Sequence, residues 1–138
     1  MRAVKFLMFV AIFLSTAAYA EVLSESSENV GFGFRKVLRS QTNPPEHWEG
    51  VGHFSFLYYK DKELSQSDKY SISPSGRYAL FQDGPSGKVM LFKPSTGQVI
   101  EVTSKFIALA SGFKWNESEK FATVFFDGEQ QPIKVILE

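Results

Sequence analysis

Between Tyr70 and Thr103 no apolar run is long enough to make a helix. The stretch reads YSISPSGRYALFQDGPSGKVMLFKPSTGQVIEVT. Three turn signals cut it into four short runs: Ser73-Pro74-Ser75-Gly76, Asp83-Gly84-Pro85-Ser86-Gly87 and Lys93-Pro94-Ser95-Thr96-Gly97. Proline fits early in a tight turn and glycine at its end. The runs between them, Arg77–Phe81, Lys88–Phe92 and Gln98–Val102, are rich in β-branched and aromatic residues. Runs of that length and content predict an antiparallel meander.

The chain opens differently. Arg2 and Lys5 precede an apolar stretch from Phe6 to Leu14, and Ala18-Tyr19-Ala20 is a small-x-small cleavage pattern followed by Glu21. That is the layout of a secretory signal peptide over residues 1–20. Its apolar part is too short for a stable membrane span. The expected location is the periplasm or the cell exterior. Of the 138 residues, 118 remain after removal of these 20, enough for one domain with a core. Without Arg2 and Lys5, 13 basic side chains stand against 15 acidic ones, a net of −2. A near-neutral chain lacks the basic stripe of a nucleic-acid binder or a polybasic membrane-surface protein. There is no cysteine, so stability must come from packing and turns. Eleven Phe, four Tyr and two Trp remain after residue 20 to supply that packing.

Elsewhere the punctuation is looser. Residues 21–29 are polar and acidic and read as a flexible leader. Val30–Leu38 (VGFGFRKVL) suits either a strand or the start of a short helix. Asn43-Pro44-Pro45 marks a loop over Ser40–Glu49. His53–Lys60 predicts a strand with Phe54, Phe56 and Tyr58 on one face, and Glu63–Ser65 a short return. Lys105–Ala110 suits a helical turn or an extended crossover. Phe113–Trp115, Phe121–Phe126 and Pro132–Leu137 read as strands, the last with Ile133, Val135 and Leu137 on one face.

Two stretches can be laid over each other. Ile72-Ser73-Pro74-Ser75-Gly76-Arg77-Tyr78-Ala79-Leu80-Phe81 matches Trp115-Asn116-Glu117-Ser118-Glu119-Lys120-Phe121-Ala122-Thr123-Val124. In both, an apolar residue precedes a four-residue turn, then come a base, an aromatic and Ala. The 43-residue offset from Ile72 to Trp115 falls within the roughly 40–45 of a four-stranded propeller blade. The first copy, continued through Gly87–Phe92 and Ser95-Thr96-Gly97-Gln98, resembles one blade of the TolB-type β-propeller repeat. Ser75 stands where that pattern has Asp. The second copy departs further, with Glu117 and Glu119 in place of Pro and Gly. The chain as a whole also resembles small exported proteobacterial proteins with no assigned activity. The blade resemblance implies a meander of blade-like sheets near residues 70–103 and 113–138; it implies no activity. A closed propeller needs about 4–8 blades, and 118 residues hold fewer than three such periods. The sheets must either pack as a sandwich or be completed by other copies.

Little in the sequence carries chemistry. His47 and His53 lie near Glu46 and Glu49, but their spacing matches no metal-binding motif. Gly84-Pro85-Ser86-Gly87-Lys88 lacks the spacing and the following Ser/Thr of a phosphate loop, and a strand follows it. No Gly-x-Ser-x-Gly elbow accompanies the serines. No catalytic, metal or cofactor-binding residue is therefore assigned. Trp48, His53 and Tyr59 are the candidate interaction residues, since aromatics are favoured at binding hot spots. The terminal strand Ile133–Leu137 is a second candidate, because an uncovered edge invites another chain.

These features together predict a single all-β domain over residues 30–138, an antiparallel meander of blade-like sheets forming an incomplete propeller or a sandwich-like stack. The expected role is a non-enzymatic exported binding or scaffolding module. Its partner would be another protein of the cell envelope or further copies of itself. The competing expectation is a small hydrolase or metal-dependent enzyme using His47 or His53.

Overall fold

In the computed structural model of the chain, residues 22–42 and 51–138 are described. The predicted signal peptide and the loop carrying His47 and Trp48 lie outside them. The described residues belong to two compact units. Residues 27–37 and 55–138 form the larger; residues 22–26, 38–42 and 51–54 belong to the smaller.

The fold is all-β, with three antiparallel sheets, none closed into a barrel. The first sheet takes β1 (Val22–Gly31), β2 (Phe34–Thr42), β3 (Val51–Tyr59) and β4 (Lys62–Gln66) in chain order. The polar segment expected as a flexible leader is thus mostly strand β1. Its side chains from Ser24 to Asn29 are all exposed. It pairs through its backbone, which requires no apolar alternation, and so left no periodic signal. Gly31, Phe32 and Gly33 all have positive φ (104°, 55° and 89°) and turn the chain into β2. That settles Val30–Leu38 as a hairpin rather than a helix start.

The second sheet is the expected meander: β5 (Tyr70–Ile72), β6 (Ala79–Gln82), β7 (Val89–Lys93) and β8 (Gln98–Glu101). Its first turn is closed by Gly76 N–H donating to Ser73 C=O (2.9 Å), and by Tyr78 N–H donating to Ser73 Oγ (3.1 Å). Gly76 sits at φ +78°, and a Cβ there would lie 2.2 Å from the Phe32 ring. All four residues of β6 are buried, so this sheet is covered on both faces. Alternation decides which side each residue serves. Ala79, Phe81 and Phe92 form one cluster with Phe34 and Leu57 of the first sheet. Leu80, Val89 and Leu91 form another with Ala122, Val124, Val135 and Leu137 of the third sheet. Each such Phe or Leu removed from water contributes roughly 1.5–3 kcal/mol.

Residues 104–109 are an irregular crossover, not a helical turn. They lead into the third sheet: β9 (Ala110–Asn116), β10 (Phe121–Phe126) and β11 (Ile133–Ile136), ordered β11-β10-β9. A 3-10 turn, Glu117–Glu119, joins β9 to β10, with the Asn116 side chain accepting from Glu119 N–H. The two matching sequence stretches occupy matching ladders. Ile72 pairs with Ala79 and Trp115 with Ala122. Ala79 pairs with Phe92 and Ala122 with Val135. Trp115, Ala122 and Val135 each lie 43 residues beyond their counterparts.

Candidate interaction edge

Of the sequence-proposed interaction residues, His53 and Tyr59 fall within the described residues. Trp48 lies outside the described residues. His53 is exposed in the smaller unit, its Nδ1 sharing a 2.9 Å hydrogen bond with Ser40 Oγ. Tyr59 is half-buried in the larger unit, its ring centroid 4.9 Å from Phe34 and 5.3 Å from Phe92. Among the described residues no three His, Asp or Glu side chains cluster as metal ligands. No helix among them is long and apolar enough to cross a membrane.

Trp115 also serves the interior. Its Nε1–H donates to Ser71 Oγ (2.8 Å), and its ring stacks on Tyr78 with centroids 6.3 Å apart. Nearby, Ser75 N–H and Oγ–H both donate to the Glu117 carboxylate. The two substitutions that make the second turn unlike the first therefore bring in a residue that ties the turns together.

A cavity of about 360 Å³ opens beside the Asp83–Lys88 loop, with Phe106 and Leu109 at its rim. The Gln82 and Asp83 side chains in its wall are already satisfied. Gln82 Nε2 donates to Gly87 C=O and Ala108 C=O (both 2.9 Å), and its Oε1 accepts from Ala110 N–H (2.8 Å). The Asp83 carboxylate accepts from Ser65 Oγ, Ser86 Oγ and Ser86 N–H at 2.7, 2.6 and 2.9 Å. Partial desolvation alone would raise its pKa. The bonds from Ser86 and Ser65, with the charge of Lys88, outweigh that and hold it below the usual carboxylate value. This is a loop clamp, and it accounts for Gly84–Lys88 without any phosphate.

The third sheet presents the more open surface. Strand β11 pairs with β10 on one side and with no described strand on the other. Leu137 N–H donates to Lys120 C=O (2.9 Å). Since backbone groups alternate along a strand, the residues at 133, 135 and 137 bond inward. The N–H and C=O groups of Lys134 and Ile136 therefore point to the free side. Ile136 is 58% exposed. In the second sheet the strand at the matching register, β7, has its outer side paired to β8 over Met90–Lys93. The third sheet lacks that fourth strand among the described residues.

Its outward face differs as well. The cross-strand pair Leu80–Leu91 fills the cluster between the second and third sheets. At the matching register of the third sheet the pair is Thr123–Lys134. Lys134 Nζ lies 4.4 Å over the Phe121 ring, covering it with charge. Lys114, opposite Thr123 on the other side, is exposed. At this register the face is polar where the second sheet has leucines, while Phe125 and Ile136 on the same face are 39% and 58% exposed. The edge itself carries Lys134 but no covering strand among the described residues.

No family model, curated protein or solved structure matches this chain.

Proposed function

We propose that the protein is an exported binding or scaffolding module that acts without catalysis, by accepting an extended strand from a partner protein along the free edge of β11. One observation carries the reading: the backbone groups of Lys134 and Ile136 face outward beside a 58% exposed Ile136, where the corresponding edge of β7 is occupied by β8. Main-chain bonding to such an edge supplies affinity, and side chains at alternate positions supply choice of partner. The module would be exported by residues 1–20 to the periplasm or beyond. Its two matching ladders, with their common 43-residue offset, favour blades of the TolB-propeller type. The polar Thr123–Lys134 pair favours a stack that ends at the third sheet over one that continues into a ring.

Both parts are testable in a cell that exports the protein. Mass spectrometry of the exported form should place Glu21 at its amino terminus; an uncut chain removes the export reading. A photo-crosslinking side chain at Lys134 should give adducts that vanish when Ile136 is also changed to Pro. The same probe at the exposed Ser118 should give none of them. Equal labelling from both positions, or adducts indifferent to Ile136→Pro, refutes the edge.

A further inference from the structure

The strand that best fits this edge is carried by the chain itself. We infer that β11 pairs antiparallel with β11 of a second copy, about a twofold axis through Ile136. This inference rests on the reading of the β11 edge as the binding surface and names its partner.

The argument begins with Lys134. A lysine in the middle of an edge strand discourages pairing with an arbitrary strand, because its charge must be desolvated or opposed. It is tolerated where a carboxylate lies directly across. From Lys134 to Glu138 the chain reads K-V-I-L-E. Lysine and glutamate stand two residues either side of Ile136. Antiparallel pairing centred on Ile136 sets Lys134 of one copy opposite Glu138 of its partner, twice over. Ile136 meets Ile136 at the axis. The outward N–H and C=O of each Ile136 then bond one another. The outward groups of Lys134 meet the backbone of the partner's Glu138. All three side chains lie on the same, water-facing side of the sheet, since they are two residues apart. Val135 and Leu137, on the other side, stay in the core cluster already formed.

Sliding the register by one residue removes this match. Centred on Val135, the pairing sets Lys134 against Ile136 and brings Glu138 opposite Pro132, which has no N–H to give. Only the register about Ile136 satisfies both charge and hydrogen bonding. A twofold of this kind also closes on itself and leaves no β11 edge for a third copy. The two three-stranded sheets become one of six strands.

Sedimentation equilibrium on the purified protein, from micromolar to millimolar concentration, tests the pairing. A reversible dimer is the expected result. Lys134→Glu and Glu138→Lys, each alone, oppose like charges at two symmetric contacts and should weaken the dimer about tenfold or more. Mixing the two variants should restore it, since each mixed contact then joins opposite charges. Ile136→Pro removes an outward N–H and no ladder bond, so it should abolish the dimer while leaving the melting curve in place at concentrations where the wild type is monomeric. A wild-type monomer at millimolar concentration overturns the inference, as does a dimer indifferent to these changes. In either of those cases, adducts from position 134 that still vanish with Ile136→Pro would keep the edge as a binding surface for another protein. Without such adducts, both readings fall.

Discussion

Gln82 offers the sharpest test of how the core of the larger unit is assembled. Its side chain is 5% exposed and holds three backbone groups: the carbonyls of Gly87 and Ala108 and the amide of Ala110. These groups belong to the Asp83–Lys88 loop, the 104–109 crossover and the first residue of β9. Replacing Gln82 with Ala frees all three. The Ala110 N–H is buried, and a buried donor without a partner costs about 1–3 kcal/mol. Gly87 lines a cavity that water can enter, and both carbonyl bonds are only part-buried, so each carbonyl loses only the net worth of its bond, about 0.5–1 kcal/mol. The total is about 3 kcal/mol, or a fall in melting temperature of roughly 9–15 °C for a domain of this size. Urea unfolding followed by tryptophan fluorescence measures the loss. Gln98→Ala, at an exposed position of β8, serves as the control and should change stability little. Hydrogen exchange adds a local readout, because the Ala110 amide should lose protection. Gln82→Glu carries the same logic into pH. Its carboxylate would face two carbonyl oxygens, which raises its folded pKa above the unfolded value. The variant should therefore lose stability as pH rises from the unfolded value near 4.3 through the raised folded value and regain it in acid. A Gln82→Ala loss under 1 kcal/mol, with Ala110 still protected, would refute the reasoning.

Other expectations follow from the same contacts. Asp83 has a lowered pKa, so the stability it lends is present above the ordinary aspartate value and lost as pH falls through its folded value. Asp83→Asn should flatten the acid side of the stability profile below about pH 4, measured by urea unfolding. Gly76→Ala meets both a positive φ and the Phe32 ring and should cost about 1–2 kcal/mol. The cost should shrink when Phe32 is also changed to Ala, as a double-mutant cycle would report. Trp115→Phe removes the bond to Ser71 and should cost about 1 kcal/mol in thermal unfolding. Val135→Pro takes an N–H from the ladder to Ala122 and should destabilise by about 3 kcal/mol, where Ile136→Pro should not.

What the sequence made legible was the turn chemistry. Pro74 and Gly76, the Asp83–Gly87 loop and Pro94–Gly97 cut the chain where the structure turns, because each position demands a backbone geometry that few residues adopt. The β1 strand was hidden for the opposite reason. Its side chains from Ser24 to Asn29 all meet solvent, and pairing by backbone alone imposes no pattern on them. Gln82 was hidden by its place in an apolar strand. A glutamine at the end of Ala79-Leu80-Phe81 looks like a strand leaving the core, and only the path of residues 104–110 shows it to be the core's polar fastening.

The edge shows how far a shared pattern can carry function. The strands at 79–82 and 122–124 keep one register, and so do their neighbours at 89–92 and 133–135. Register fixes which side each residue faces; it does not fix what lies beyond that side. Leu80 and Leu91 are apolar because a third sheet covers them. Thr123 and Lys134 are polar at the same positions because no described sheet covers theirs. The sequence difference therefore follows what covers each face, and reading it needs the alignment of ladders before the substitutions mean anything. With Lys134 over the Phe121 ring, the proposed partner joins in the plane of the sheet. There the same lysine, with Glu138 four residues on, becomes the feature that selects the partner strand.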